Sequence, residues 1–229
     1  MQLQSNNWGS KQTFANAFLT LAFCSISFFL LSKATAATEK MVVIGSSTAA
    51  GNGASAPNAS WVGLLKPWLL NRRGWKVENF AVAGTLTSSA VCLATGSATT
   101  RAISSGATHL IVSFPSNDAT AGVTSAATLE NWRDILQCAA DKGVKVAVMS
   151  TIPRAGLTVE QVNNIDRVDK ELKQTLGPCF IDVRNLLLDA DGSSPKASLS
   201  AGDGVHFNDR GHLVIFNQVS IFLRSKQCF

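Results

Sequence analysis

The sequence predicts one doubly wound α/β domain built around a five-stranded parallel sheet. Short apolar runs alternate along the chain with longer segments of helical period, the pattern of parallel strands covered by helices. The 229 residues are enough for one sizeable domain of this kind and too few for two. A composition of 46% hydrophobic and 15% charged residues is that of a folded, globular chain.

The apolar runs predict five buried strands whose carboxyl ends share one edge of the sheet. We expect the functional site outside that edge, as in other doubly wound sheets. The predicted strands cover residues 41–44, 77–80, 110–114, 144–149 and 180–183.

Three helices follow from apolar spacing and from end signals. One covers residues 129–139 and ends at Gly143, and another covers about residues 210–224. Between them, Thr158 and Gln161 form a capping-box pattern that starts a helix, and Gly177 with the following proline ends it. The segment 85–106, rich in Ser, Thr, Ala and Gly, is expected to be the least structured part and to wrap the rim of the site.

Residues 1–36 have the layout of a secretory signal peptide. Lys11 precedes a largely apolar run, and small residues around Ala36 provide an A-x-A cleavage site. The alternative is an uncleaved N-terminal anchor, although the apolar run is near the lower limit of about 17 residues for spanning a bilayer. We therefore expect a mature domain at residues 37–229 that is secreted or periplasmic and has no stable membrane association after cleavage.

Charge and cysteine content narrow the class of protein further. Residues 1–36 hold two of the 20 basic residues, leaving 18 against 15 acidic ones with no basic stripe, so no nucleic-acid partner is expected. Removing Cys24 with the signal leaves four cysteines, which predict two disulfides in an exported chain. Of the three possible connectivities we favour a Cys179–Cys228 pair. Four buried free thiols are the alternative.

The candidate nucleophile is Ser47, which follows the first predicted strand in the turn Gly45-Ser46-Ser47. Such a turn presents a hydroxyl at the carboxyl edge of the sheet and can aim backbone N–H groups at a developing oxyanion. The turn lacks the second glycine of a G-x-S-x-G elbow, and it lacks the Lys-Ser/Thr ending of a phosphate-binding loop. A solvated turn would be the default interpretation if no partner residues were found.

The partner residues are Asp203 and His206, in a loop near the end of the chain. A serine hydroxyl needs a base to take its proton, and that base needs an acceptor to hold its tautomer. His109 begins a strand at the opposite edge, and His212 is expected to be solvated or to cap the last helix. His206 is thus the histidine expected in a loop at the active edge.

Two further segments supply candidate oxyanion donors. Gly84 follows the second strand and Asn117 follows the third, so both belong to the same edge as Ser47. The chain resembles the SGNH (GDSL-type) hydrolases, whose four sequence blocks correspond in order to the segments of Ser47, Gly84, Asn117 and the Asp203–His206 pair. The resemblance spans essentially the whole mature domain. The resemblance implies a flavodoxin-like three-layer α/β/α sandwich. It also implies a Ser47–Asp203–His206 triad and an oxyanion hole formed by the Ser47 N–H, the Gly84 N–H and the Asn117 amide.

The chain departs from the family pattern at two positions. Ser46 replaces the aspartate of the usual Gly-Asp-Ser block, and a hydroxyl can make only part of that aspartate's hydrogen bonds. Pro115 replaces the glycine of the usual Gly-x-Asn-Asp block, where a fixed φ could shift Asn117.

The resemblance implies a monomeric serine esterase that needs no cofactor and no metal. Within the family we favour a short-chain acyl ester or an acetyl ester on a carbohydrate, so the partner is a small-molecule or polysaccharide ester. Alternatives are a lipase, lysophospholipase or thioesterase. The alternative from another class is a non-catalytic ligand-binding protein on the same scaffold, motivated by Ser46 and Pro115.

Overall fold

A computed structural model describes residues 39–114 and 116–229. The expected signal peptide, residues 1–36, and the substituted proline Pro115 both lie outside the described residues.

The described chain contains the predicted five-stranded parallel sheet, in the order β2-β1-β3-β4-β5. This is the order of flavodoxin-like sheets, in which the chain reverses direction at β1 and leaves a crevice at the carboxyl end of that strand. The strands are β1 (Lys40–Gly45), β2 (Lys76–Asn79), β3 (His109–Ser113), β4 (Lys145–Met149) and β5 (Phe180–Ile181).

Helices follow each strand and cover both faces of the sheet. They are α1 (Ser47–Ala50), α2 (Trp61–Arg73), α3 (Ala98–Ser104), α4 (Asn117–Thr120), α5 (Ser125–Asp141), α6 (Val159–Leu176), α7 (Arg184–Leu187) and α8 (Asp209–Ser225). Short 3-10 turns complete the connections.

The core is divided between the two faces because successive strand side chains alternate in direction. On β1, Met41 and Val43 pack with α2 and α8, whereas Val42 and Ile44 pack with α3, α5 and α6. All four of these side chains are fully buried, as expected for a parallel sheet covered on both sides. The result is the predicted three-layer sandwich.

Two elements differ from the sequence prediction for identifiable reasons. Strand β5 ends at Ile181 and not at residue 183. The reason is that the Val183 N–H donates to the Ser150 hydroxyl (3.0 Å) and not to a backbone carbonyl of β4. The segment 85–106 is more ordered than predicted, since α3 begins where the Ser97 hydroxyl caps the Thr100 N–H.

The four cysteines of the domain form two disulfides, Cys92–Cys138 and Cys179–Cys228. The favoured Cys179–Cys228 pair is therefore correct, and the free-thiol alternative is wrong. Within residues 39–114 and 116–229, no helix combines the length and apolarity needed to cross a bilayer.

Candidate active site

Ser47 is the first residue of α1, directly beyond the carboxyl end of β1. The chain turns tightly here because Gly45 lies against β3: a Cβ at Gly45 would be 2.0 Å from the Ser113 carbonyl oxygen, and its φ is +154°. Only glycine fits such an approach. Ser47 is 7% exposed, and its N–H precedes the intrahelical hydrogen bonds of α1.

The single turn of α1 is held by two side chains from outside and by its own backbone hydrogen bonds. The Trp61 indole N–H donates to the Thr48 carbonyl (3.1 Å), and the Asn79 amide donates to the Ala49 carbonyl (2.7 Å). At its end, the N–H groups of Gly51 and Asn52 donate to the Ser47 carbonyl, each at 3.0 Å. These bonds fix the backbone on which the Ser47 hydroxyl is carried.

Asp203 and His206 form a hydrogen-bonded pair in the loop before α8. His206 Nδ1 lies 2.6 Å from Asp203 Oδ2, while the other carboxylate oxygen accepts from the N–H groups of Val205 (2.9 Å) and His206 (2.8 Å). The hydrogen bond from the His206 backbone N–H is the main cause that lowers the pKa of Asp203 to about 2. The ionised carboxylate can therefore hold a proton on His206 Nδ1, which leaves Nε2 as the free ring nitrogen.

The loop that carries His206 packs directly on the segment that follows Ser47. A Cβ built on Gly53 would be 3.0 Å from the His206 Cβ and 2.3 Å from the Phe207 carbonyl oxygen. The Ser55 hydroxyl and N–H both donate to the Asp209 carboxylate, at 2.6 and 2.7 Å. The structure thus packs the loop of His206 on the segment that follows Ser47, and among the described residues no hydrogen bond joins the Ser47 hydroxyl to His206.

Asn117 also lies beside the nucleophile turn, at the start of α4. Its Nδ2 donates to the Ser46 hydroxyl (2.9 Å) and to the Thr85 carbonyl (3.0 Å). The Ser46 hydroxyl therefore takes part in positioning the Asn117 side chain. Because an amide NH₂ has two hydrogens, an oxyanion could be bound only in exchange for one of these two acceptors.

The turn that contains Gly84 is hydrogen-bonded to the carboxyl end of β1. The Gly45 carbonyl accepts from the Val82 N–H (3.0 Å) and from the Thr85 hydroxyl (3.2 Å), which brackets Gly84 in an exposed turn. The positive φ of Gly84, +79°, suits a glycine at this position. Ser47, Gly84 and Asn117 thus follow the carboxyl ends of three neighbouring strands, β1, β2 and β3.

Two residues of the site were missed or misjudged at the sequence level. Arg154, in the loop after β4, donates from Nη1 to the Asn117 side-chain oxygen (3.3 Å). His212 was expected to be solvated or to cap α8, and that expectation is wrong: it is fully buried. Arg154 could have been found by the same rule that found Asn117, since it also follows the carboxyl end of a strand.

His212 links α8 to the segment between Ser47 and Gly53. Its Nδ1 accepts from the Trp61 N–H (3.3 Å), so Nε2 carries the proton and donates to the Asn52 carbonyl (3.1 Å). Burial lowers the pKa of His212 below its usual value and keeps the ring neutral. The residue acts structurally, by fixing the backbone on which both Ser47 and Gly53 depend.

In the part of the chain that the structure describes, no group of three His, Cys, Asp or Glu side chains could hold a metal ion. The functional groups at this edge are a serine hydroxyl, an imidazole hydrogen-bonded to a carboxylate, and several N–H donors. Acyl-transfer enzymes use the same groups.

Comparison with known proteins agrees with this geometry. Residues 43–214 match the profile of the GDSL-like Lipase/Acylhydrolase family, a span that runs from β1 into α8 and includes every candidate site residue. The chain belongs to this family. A search among curated proteins found no match.

Solved structures resemble this GDSL-like chain in fold at low sequence identity. TesA has 18% identity and a TM-score of 0.65, over 82% of this chain and 99% of TesA. The psychrotrophic esterase EstA from Pseudoalteromonas sp. has 15% identity and a TM-score of 0.64, over 82% and 97%. A two-domain esterase active on acetylated mannans has 15% identity and a TM-score of 0.59, over 82% of this chain and 49% of that protein.

Proposed function

We propose that this protein is an exported serine esterase that cleaves carboxylic esters through an acyl-enzyme. The observation that carries the proposal is the hydrogen-bonded Asp203–His206 pair, whose loop packs at Gly53 on the segment that follows Ser47. An imidazole with one nitrogen held by a carboxylate and the other free is the arrangement that activates a serine.

In this mechanism the Ser47 oxygen attacks the ester carbonyl carbon while His206 Nε2 takes the hydroxyl proton. The imidazolium, stabilised by Asp203, then donates that proton to the leaving alcohol. Water attacks the resulting acyl-enzyme, with His206 again acting as base, and releases the acid. The N–H groups of Ser47 and Gly84 and the Asn117 amide stabilise both tetrahedral oxyanions, and Asn117 exchanges its bond to Ser46 or Thr85 for one to the substrate.

A short acyl group is the substrate feature that we favour. The fold similarity to an esterase active on acetylated mannans supports an acetyl ester on a carbohydrate. Initial rates on 4-nitrophenyl acetate, butyrate, octanoate and palmitate test this preference, and faster cleavage of octanoate than acetate would contradict it.

Export is proposed on separate grounds. Residues 1–36 have the layout of a signal peptide, and the two disulfides suit an oxidising compartment. The mature N-terminus of protein recovered from the culture medium or periplasm should begin after Ala36.

The catalytic proposal is tested with Ser47→Ala and His206→Ala. Each variant should lose hydrolysis of 4-nitrophenyl acetate by at least about 10³-fold while it keeps the thermal melting temperature of the parent. Near-normal turnover in either folded variant would reject this site.

A non-catalytic binding protein is the second candidate, and one observation favours it. Both Asn117 amide hydrogens are already bonded, to Ser46 and to Thr85. A folded protein that hydrolyses none of these esters and does not react with a fluorophosphonate would support that candidate, because only an activated serine reacts appreciably.

A further inference from the structure

The cationic side chain of Arg154 lies between Asn117 and the loop that carries Asp203 and His206. Its backbone N–H donates to the Ser193 carbonyl (2.9 Å), and the next N–H, of Ala155, donates to the Gly204 carbonyl (2.8 Å). The β4–α6 loop is thereby attached to the loop that carries Asp203 and His206. From there the half-buried Arg154 side chain reaches across to Asn117 (3.3 Å).

The charge of Arg154 has no acidic partner. Among the described residues, no carboxylate lies within 4.0 Å of its guanidinium, and residues 1–38 and 115 contain no Asp or Glu. By contrast Arg184, near the carboxyl end of β5, pairs with Asp166 at 3.5 Å. An arginine has five N–H donors, and Arg154 uses one of them, on a neutral amide oxygen.

We propose that Arg154 selects ester substrates that carry a negatively charged group, such as a carboxylate or phosphate, on the alcohol or the acyl side of the ester bond. This inference rests on the proposed esterase function. A guanidinium binds such groups with two parallel hydrogen bonds, and its orientation here is already set by Asn117 and by the bonded loop. A ligand anion would therefore meet a positioned, uncompensated charge beside the reacting carbonyl.

The competing role is purely structural. In that role Arg154 only orients the Asn117 side chain, so that the Asn117 Nδ2 faces the nucleophile turn. The two roles differ in one measurable respect. Loss of amide positioning slows neutral and anionic esters by the same factor, whereas loss of anion recognition lowers the preference for the anionic ester.

The test uses two ester pairs, each of which compares a free carboxylate with its methyl ester. The charge is on the alcohol side in 4-acetoxybenzoate, compared with its methyl ester. It is on the acyl side in mono(4-nitrophenyl) adipate, compared with methyl 4-nitrophenyl adipate. The value of kcat/KM is measured for each ester with the parent protein, Arg154→Gln, Arg154→Lys and Arg154→Glu. Arg133→Gln, on the exposed face of α5, is the matched control.

For at least one pair, Arg154→Gln should lower the anionic-to-neutral ratio of kcat/KM by about tenfold or more, mainly through KM. Arg154→Lys should keep part of the preference, Arg154→Glu should reverse it, and Arg133→Gln should leave it unchanged. Raising the salt concentration to about 0.5 M should weaken the parent's preference, because it screens the charge.

Equal loss on both members of both pairs, with a parental melting temperature, would overturn the inference and leave the esterase proposal intact. A parent protein that cleaves none of the four esters and does not react with a fluorophosphonate would refute the esterase proposal, and the inference with it.

Discussion

Gly53 offers a sharp test of how the site is assembled, because it is where the segment after Ser47 touches the loop that carries His206. We expect Gly53→Ala to separate these two parts without unfolding the domain. In the structure, the added Cβ would be 2.3 Å from the Phe207 carbonyl oxygen and 3.0 Å from the His206 Cβ.

The size of the effect follows from these distances. Real Cβ atoms essentially never approach a heavy atom closer than 3.0 Å, so the Phe207 carbonyl and the new methyl group must move apart by at least 0.7 Å. Since the obstacle is backbone, the loop itself has to move. A displacement of about 1 Å at catalytic groups can cost 10²-fold in rate. We therefore expect kcat/KM for 4-nitrophenyl acetate to fall roughly 10- to 100-fold.

Gly143→Ala is the matched control, because it separates backbone strain from displacement of the loop. Both glycines have positive φ, +91° at Gly53 and +68° at Gly143, so alanine at either position costs about 1–2 kcal/mol of stability. A Cβ on Gly143, however, meets nothing within 4 Å. The assay is initial-rate hydrolysis combined with urea unfolding of both variants. If Gly53→Ala retains kcat/KM within threefold of Gly143→Ala, the packing of Gly53 on the His206 loop does not set the catalytic geometry.

Three further predictions concern the carboxylate, a buried histidine and a disulfide. Asp203→Asn should keep the loop bonds made by Oδ1 but present an amide to the His206 ring, so kcat should fall by about 10³–10⁴-fold in a stable protein; a loss below tenfold would contradict the triad. Burial lowers the pKa of His109 to about 4, so stability from this group is present above pH 6.5 and is lost as the pH falls toward 4. Between pH 7 and pH 5 this amounts to about 2 kcal/mol of unfolding free energy, which urea titrations of the parent and His109→Gln should resolve as a smaller pH dependence in the variant. Removing the Cys179–Cys228 disulfide, which closes a separation of 49 residues, with a double serine variant should cost about 4 kcal/mol in the same assay, and a cost under 1 kcal/mol would show that this link is unimportant.

Features that depend on neighbouring residues could be predicted from the sequence. The capping box at Thr158 is an example: its hydroxyl accepts from the Gln161 N–H (3.2 Å), and the Gln161 side chain accepts from the Thr158 N–H (2.9 Å). Both bonds form within one turn of helix and need no tertiary context. The sheet and its carboxyl edge were predictable for a similar reason, since buried parallel strands leave continuous apolar runs.

Contacts between distant segments could not be predicted in this way. His212 bonds the carbonyl of Asn52, 160 positions earlier, and nothing near His212 in the sequence distinguishes it from a solvated residue on the first turn of a helix. The occupation of both Asn117 amide hydrogens likewise depends on where Ser46 and Thr85 meet in space. The sequence indicated which residues follow the carboxyl ends of the strands, but the partners of each side chain required coordinates.

Every step of the proposed mechanism requires that His206 activate Ser47, and chemical labelling of the serine reports on this activation without an ester substrate. The mature protein is treated with a fluorophosphonate, digested, and the modified residue is located by mass spectrometry. We expect one phosphonylated residue, Ser47, and a labelling rate that falls at least about 10³-fold in His206→Ala. Modification of another serine, or labelling of Ser47 at an unchanged rate in folded His206→Ala, would contradict it.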